Sequence, residues 1–265
     1  MLDLTLRKYG TPPYRVAVLH GGPGAPGYMA RVARELSKLT GILEPLQTRS
    51  TVRAQINELR EQMLEHAQSP VTLIGSSWGA VLALLLAATN DSLVQKLILI
   101  GCAVFDAENS AKIDPIRMAR LDDLSRQRYY IIKELIKTSS PDRQSALFEE
   151  WGEIYSRADM FDPLTTDLEV LEVQSEINNS VWSDFKTMRD KPAYLNNLFS
   201  KIKAPVVVIH GSYDPHPLEG IRPFLESCII NIKFHILPNC GHYPWIERQA
   251  ADQFYKIIKA ELETE

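Results

Sequence analysis

Cysteine is scarce in this chain of 265 residues. Its three cysteines, Cys102, Cys228 and Cys240, are odd in number and widely spaced. Neither a disulfide framework nor a cysteine-based metal site has this spacing, so both are excluded as the basis of the fold. We expect three buried thiols in a reducing compartment, which favours a cytoplasmic location.

The chain also lacks an excess of positive charge and a long apolar segment. Its formal net charge is -4 and charged residues make up 23% of the sequence, which gives no reason to expect nucleic acid as a partner. The apolar runs at 80–88 and 97–105 fall far short of the roughly 20 residues that a membrane helix needs. The first residues contain no apolar segment typical of a signal peptide. We therefore expect no membrane partner and a small-molecule substrate, whereas the oligomeric state does not follow from the sequence.

Short apolar runs alternate with helical patterns in both outer parts of the chain. Continuous apolar strands of this kind indicate an α/β fold with a mostly parallel central sheet flanked by helices. The predicted strands are Arg15–Leu19, Gly41–Gln47, Val71–Ile74, Val94–Ile100, Pro205–Ile209 and Asn231–Leu237. The predicted helices are Tyr28–Leu39, Thr51–Ala67, Trp78–Ala88 and Trp245–Leu262.

The strand pattern stops from Asp106 to about Ser200 and is replaced by helical signals. Ser140 followed by Pro141 is one of them, a cap with a proline in the first helical turn. The sequence therefore predicts a core formed by residues 1–105 and 201–265, interrupted by a helical lid or cap at 106–200. An insertion between successive strands of such a sheet lies at one end of it, where binding sites occur.

Gly75-Ser76-Ser77-Trp78-Gly79 lies where a predicted strand meets a predicted helix. A serine at the centre of this tight turn is held in a strained backbone conformation that exposes its hydroxyl to substrate. Ser77 has this central position and is the candidate nucleophile. The alternative is a helix cap that needs small residues for close packing, a role that Ser76 could also fill.

A serine nucleophile requires a base, and the base requires an acid to hold its tautomer. His242 follows the last predicted strand and is the candidate base, and Asp214 follows the strand before it and is the candidate acid. Asp106 is the alternative acid. We expect His66 and His235 to be structural, and His210, at the end of a strand, to lie near the site.

The segment HGGPG follows the first apolar strand and is therefore expected beside Ser77. Pro23 has no N–H, so the backbone amides of Gly22 and Trp78 are the candidate oxyanion hole. His20 opens the segment. It is a tentative substrate-binding residue, although a histidine that braces the turn by hydrogen bonds is the alternative.

Four motifs occur in the order typical of the α/β-hydrolase-fold superfamily, which the chain resembles over 15–105 and 201–262. They are HGGPG (20–24), GSSWG (75–79), HGSYD (210–214) and GH (241–242). HGGPG with Ser-Trp-Gly resembles proline iminopeptidases more narrowly, although Ser76 stands where their elbow commonly has glycine. This resemblance implies cap glutamates that bind the amine of a substrate. It also implies a leading antiparallel hairpin, here reduced to one strand at Leu2–Arg7.

These observations predict a serine hydrolase that cleaves a small ester or amide through an acyl-enzyme, with no metal and no cofactor. The alternatives are an aminopeptidase similar to proline iminopeptidases, carbon–carbon bond cleavage by the same triad, and a non-catalytic ligand-binding protein on this scaffold. Glu150, Trp151 and Trp182 are tentative substrate-binding residues in the insertion. Other acidic candidates for an amine are Glu149, Glu153, Glu169, Glu172 and Glu176.

Overall fold

A seven-stranded sheet forms the centre of the protein in the computed structural model, which describes residues 5–263. The strand order is β1-β3-β2-β4-β5-β6-β7, and every neighbouring pair is parallel except β1 with β3. The strands are β1 (Leu6–Tyr9), β2 (Tyr14–Leu19), β3 (Gly41–Pro45), β4 (Val71–Ser76), β5 (Val94–Ile100), β6 (Val206–Gly211) and β7 (Ile232–Leu237). The predicted α/β fold with a mostly parallel sheet is confirmed.

Helices cover both faces of this sheet. Those outside the insertion are α1 (Ala30–Leu36), α2 (Val52–His66), α3 (Trp78–Thr89), α9 (Arg222–Cys228) and α10 (Ala251–Glu263). Those of the insertion are α4 (Ala107–Arg120), α5 (Asp123–Thr138), α6 (Pro141–Asp159), α7 (Ser175–Arg189) and α8 (Pro192–Phe199). No helix among residues 5–263 is long and apolar enough to cross a membrane.

The alternation of side chains along the central strands explains why these strands are apolar throughout. Leu97 and Leu99 of β5 pack into the core on one face of the sheet, whereas Ile98 and Ile100 pack into the core on the other. Successive side chains of a strand point to opposite faces, so a sheet covered on both sides buries every position. The three cysteines are buried as free thiols within these cores.

The predictions and the structure differ at several element boundaries, and one helix of the core has no predicted counterpart. The leading strand predicted at Leu2–Arg7 is observed from Leu6 to Tyr9, and residues 1–4 lie outside the described part of the chain. The last helix begins at Ala251, because a short 3₁₀ turn at Pro244–Ile246 precedes it. Helix α9 was not predicted, since a helix of seven residues gives only a short periodic signal.

The helical insertion has two parts that pack differently. Side chains of α4, α5 and α6, among them Tyr129, Ile132 and Ile154, form a small apolar cluster of their own. Phe185 of α7 and Phe199 of α8 instead join the large core that contains α3. The predicted boundary near residue 200 therefore does not coincide with a change in packing.

Candidate active site

Ser77 occupies a sharp turn between β4 and α3. Its φ is 53° and its ψ is -115°, a left-handed conformation that costs a non-glycine residue on the order of 1–3 kcal/mol. Glycines on either side make the turn possible, because a Cβ at Gly75 would overlap the carbonyl of Gly79, and one at Gly79 would overlap that of Leu19. The elbow geometry expected for the central serine is therefore present.

The HGGPG segment lies directly against this elbow. A Cβ on Gly21 would lie 2.6 Å from the Cβ of Ser77, so only glycine allows the two turns to approach so closely. Gly22 has a φ of +42° and lines the same cavity as Ser77. Trp78 is the first residue of α3, so its backbone N–H has no acceptor within the helix. Of the two candidate oxyanion donors, Trp78 thus follows Ser77 directly and Gly22 lines the same cavity.

Asp214 and His242 are joined by a buried hydrogen bond. The Nδ1 atom of His242 lies 2.7 Å from Oδ2 of Asp214, and both side chains are almost completely buried. Asp214 follows β6 and His242 follows β7, so the carboxyl ends of neighbouring parallel strands bring them together. Asp106, the alternative acid, instead caps α4 by accepting a hydrogen bond from the backbone N–H of Asn109.

The surroundings of this pair shift the pKa values of its members in opposite directions. Burial of the His242 ring opposes protonation, but the charge and hydrogen bond of Asp214 outweigh it, so the pKa of His242 is raised. Burial also opposes ionisation of Asp214, but the facing histidines, first His242 and then His216 and His210, hold its pKa well below the usual range. The pair therefore favours an ionised carboxylate beside a basic imidazole.

Two further histidines surround the same carboxylate. His216 donates from Nδ1 to Oδ1 of Asp214 at 2.8 Å, and Nδ1 of His210 lies 3.8 Å from Oδ2. No role is predicted for His216 from the sequence, although its place two residues after the candidate acid is a signal that could have been used. Among the described residues, Asp214, His216 and His242 form the one group with metal-ligand spacing, within 4.8 Å of one another. Hydrogen bonds between them already satisfy both Nδ1 atoms.

A cavity of about 850 Å³ lies beside these residues and is lined by residues of both the core and the insertion. Ser77, His216 and His242 line it from the core, and Trp151 and Trp182 line it from α6 and α7. Trp182 also packs edge to face on Trp78, with ring centroids 5.7 Å apart. The two tryptophans proposed from the sequence are thus brought to the cavity.

The structure does not bring the other two tentative substrate-binding residues to this cavity. His20 is fully buried, and its Nδ1 donates to the adjacent carbonyl of Gly21 at 3.0 Å, which fits the bracing role. Glu150 is half-exposed and paired with Arg128 of α5. Of the other glutamates proposed to bind an amine, Glu149, Glu153 and Glu169 line the cavity, whereas Glu172 and Glu176 do not.

Sequence patterns missed a set of charged residues that connect the insertion to the site. Arg117 of α4 donates two hydrogen bonds of 2.6 Å to the buried carboxylate of Asp159. Glu247, also buried, accepts hydrogen bonds from the backbone of Phe161 and of Gly241. Asp159 lies 42 residues after Arg117, and Phe161 lies 86 residues before Glu247, so no local motif marks these contacts.

A further cavity-lining side chain, Arg189 at the end of α7, has incomplete pairing. Its guanidinium donates to the hydroxyl of Ser110 at 2.8 Å, while its Nε is buried without a hydrogen-bond partner. Arg189 therefore adds a guanidinium to the cavity lining, and its buried Nε–H has no hydrogen-bond partner among the described side chains.

Residues 44–249 match the family described as alpha/beta hydrolase fold, and the chain belongs to that family. Over 278 residues the chain is 27% identical to the 2-hydroxy-6-oxononadienedioate/2-hydroxy-6-oxononatrienedioate hydrolase 2 of Pseudomonas putida, spanning 97% of this chain and 90% of that protein. The predicted class, an enzyme of the α/β-hydrolase type, is thereby confirmed.

Solved structures agree with this fold assignment. Proline iminopeptidase from Mycobacterium smegmatis is similar with a TM-score of 0.64 and 17% identity, over 97% of this chain and 93% of that one. An esterase from Exiguobacterium antarcticum is similar with a TM-score of 0.64 and 18% identity, over 98% and 95% of the two chains. At these identities the likeness concerns the fold.

Proposed function

We propose that this protein is a serine hydrolase in which Ser77, His242 and Asp214 form a catalytic triad. The single observation that carries the proposal is the 2.7 Å hydrogen bond from His242 Nδ1 to Asp214, in a cavity that Ser77 also lines. That bond leaves Nε2 of His242 as the basic nitrogen. The strained turn at Ser77 supports the nucleophile assignment, since such strain concentrates at functional positions.

In the proposed reaction, Ser77 Oγ attacks a substrate carbonyl and transfers its proton to Nε2 of His242. The oxyanion that forms accepts hydrogen bonds from the amides of Gly22 and Trp78. Protonated His242 then gives its proton to the leaving group, which departs and leaves an acyl group on Ser77. Water attacks this ester with His242 as base again, which releases the acid and restores the serine.

We also propose that the helical insertion serves as a lid over Ser77. Its backbone is hydrogen-bonded to two loops of the site. The N–H of Gln174 donates to the carbonyl of Gly24 in the HGGPG loop, and the N–H of His242, in the loop after β7, donates to the carbonyl of Asp159. A lid anchored to both loops would limit the access of bulk solvent to the cavity and shape the substrate pocket.

A substrate panel tests the hydrolase proposal. The expected result is turnover of p-nitrophenyl butyrate with a burst of nitrophenol, and an acyl adduct on Ser77 that mass spectrometry detects after an acid quench. Ser77→Ala provides the control and should remove both turnover and adduct. Tight ligand binding without turnover of any carbonyl substrate would instead support the non-catalytic binding protein.

Arg189 favours a second candidate, hydrolysis of a carbon–carbon bond in a carboxylated substrate. The name of the similar Pseudomonas putida enzyme describes a dicarboxylate with a ketone. The Nε–H of Arg189 has no partner within the described part of the chain, and a guanidinium donates charge-assisted hydrogen bonds to a carboxylate, here that of the substrate. In this reaction water is added across the bond: one fragment leaves as a carboxylic acid and the other takes a proton at carbon.

Two variants of Arg189 test this candidate against the ester hydrolase. Arg189→Gln should lower kcat/KM for a 2-hydroxy-6-oxodienoate by roughly 10- to 150-fold, the value of a hydrogen bond to a charged group. Arg189→Lys keeps the charge but lacks the planar fork, so it should restore part of the loss. Turnover of p-nitrophenyl butyrate serves as the control and should change little. Equal losses on both substrates would oppose a carboxylate-binding role.

The aminopeptidase hypothesis receives less support from the placement of the acidic side chains. Glu150 is paired with Arg128, and Glu169 is paired with Arg34, so neither carboxylate is available without breaking an ion pair. Glu149 and Glu153 line the cavity but are exposed. Proline-β-naphthylamide should therefore be no better a substrate than its N-acetylated form, and a clear preference for the free amine would reinstate this hypothesis.

A further inference from the structure

The carboxylate of Asp214 is shared by two imidazoles. Oδ2 accepts from Nδ1 of His242 at 2.7 Å, and Oδ1 accepts from Nδ1 of His216 at 2.8 Å. The backbone N–H of His216 also donates to Oδ1, at 2.9 Å. A triad requires only the first of these bonds, so the two from His216 call for a separate explanation.

The two rings are also in direct contact. They stack with centroids 4.5 Å apart and planes inclined by 25°, and both line the cavity. A second positive charge at this distance from His242 would oppose formation of the imidazolium. Burial lowers the pKa of His216, and the charge of His242 lowers it further against the attraction of Asp214. His216 is therefore a neutral donor when His242 takes up a proton.

We propose that His216 is a positioning residue for the triad, an inference that rests on the proposed function of Ser77, His242 and Asp214. Its two donors fix Oδ1, so the carboxylate cannot rotate about its Cβ–Cγ bond and Oδ2 stays directed at His242. The donors also take up part of the carboxylate charge, which limits how strongly Asp214 stabilises protonated His242. His216 thereby sets both the orientation and the basicity of the base.

Two substitutions separate the hydrogen bond from the ring. His216→Phe keeps an aromatic ring against His242 but removes the side-chain donor. His216→Asn removes the ring but keeps an N–H group at the position of Nδ1. The thermal midpoint of each variant identifies a loss of fold before kinetics are compared.

The hydrogen-bond role predicts different outcomes for the two variants. His216→Phe should lower kcat by about 10- to 150-fold, the effect of one hydrogen bond to a charged group, with KM little changed. The midpoint of the acidic limb of the pH profile should also move to higher pH. Without the donor of His216, the carboxylate of Asp214 stabilises protonated His242 more strongly. His216→Asn should retain most of the activity and the profile of the unaltered enzyme.

Two results would overturn the proposal. Normal turnover and an unchanged pH profile in His216→Phe would reduce His216 to a packing residue. A rise in KM of equal size in both variants would instead make it a substrate contact.

A measurement without substrate separates this proposal from the proposed function. The proton shared by His242 Nδ1 and Asp214 is observable by proton NMR in the resting protein, and its titration gives the pKa of His242 directly. An upward shift of this pKa in His216→Phe supports the positioning role even if Ser77→Ala shows that another residue is the nucleophile. An unshifted pKa contradicts it regardless of activity.

Discussion

The backbone N–H of His242 donates a hydrogen bond of 2.8 Å to the carbonyl oxygen of Asp159, the last residue of α6. The loop that carries the candidate base is therefore held by the insertion as well as by the sheet. The carboxylate of Asp159 is in turn held by Arg117 of α4. A displacement of α6 would therefore also displace His242.

Replacement of Ser77 by alanine should abolish labelling by a fluorophosphonate probe and reduce turnover to background, because the attacking oxygen is lost. Ser76→Ala is the matched control. Ser76 is buried, and its Oγ accepts a hydrogen bond of 3.2 Å from Tyr28, so it should remain unlabelled and its loss should leave labelling intact. Labelling that survives in Ser77→Ala but not in Ser76→Ala would assign the nucleophile to the neighbouring serine.

Asp214→Asn should keep the fold and lower kcat on the order of 10⁴-fold, because an amide presents the wrong partner to Nδ1 of His242. Asp106→Asn tests the alternative acid. Since Asp106 caps α4, that variant should retain most activity, and even loss of the cap would cost only about 1 kcal/mol of stability. Circular dichroism and steady-state kinetics measure both effects. An inactive Asp106→Asn beside an active Asp214→Asn would reverse the assignment.

The pH profile of kcat/KM should fall on the acidic side with a midpoint above the usual histidine pKa of about 6.5. The proposed base, His242, accepts a proton only when neutral, and Asp214 raises its pKa, so we expect protonation to remove activity at a higher pH than for an isolated histidine. In Asp214→Asn the stabilising charge is gone, and the residual activity should show a lower midpoint. The rate of hydrolysis of an ester that does not ionise, measured against pH, gives the midpoints of the unaltered protein and of Asp214→Asn. Identical midpoints would show that Asp214 does not raise the pKa of His242.

Glu247→Gln should destabilise the protein by roughly 1–3 kcal/mol and lower kcat. Oε1 accepts from Phe161 and Gly241, and Oε2 accepts from Asp162, so an amide NH₂ would face at least one buried N–H donor. Glu172→Gln, at an exposed position of the insertion, is the control and should have little effect. Urea unfolding and kinetics provide the readouts. A stability equal to that of the control would show that Glu247 does not fasten the insertion to the His242 loop.

The parts of the fold that local patterns determine were predicted from the sequence. Strand β5 was predicted with its observed bounds, because its run of seven apolar-biased residues ends at a glycine, which favours a turn. The turn at Ser77 could also be predicted from the sequence, because the glycines, the strand and the helix that define it all lie within a few residues of this serine. The observed φ of 53° at that serine agrees with the predicted strained turn.

Contacts between distant segments could not be predicted in this way. Glu150 was proposed to face the cavity because it adjoins Trp151, but neighbouring residues on a helix point in different directions, and Glu150 instead meets Arg128. Arg189 and Asp159 gave no signal, because their roles depend on how the helices of the insertion pack over the sheet. Such packing is set by tertiary contacts that no short motif encodes.

Helix α3 is buried from Trp78 to Ala88, and it begins directly after the candidate nucleophile. Amide hydrogens of such an element exchange with solvent only when the entire domain unfolds. Helices α4 to α6 have a small core of their own, so we expect them to open in a separate step of lower free energy. The candidate nucleophile then belongs to a more persistent part of the molecule than these insertion helices, and we expect partial unfolding to expose the serine before it distorts the turn.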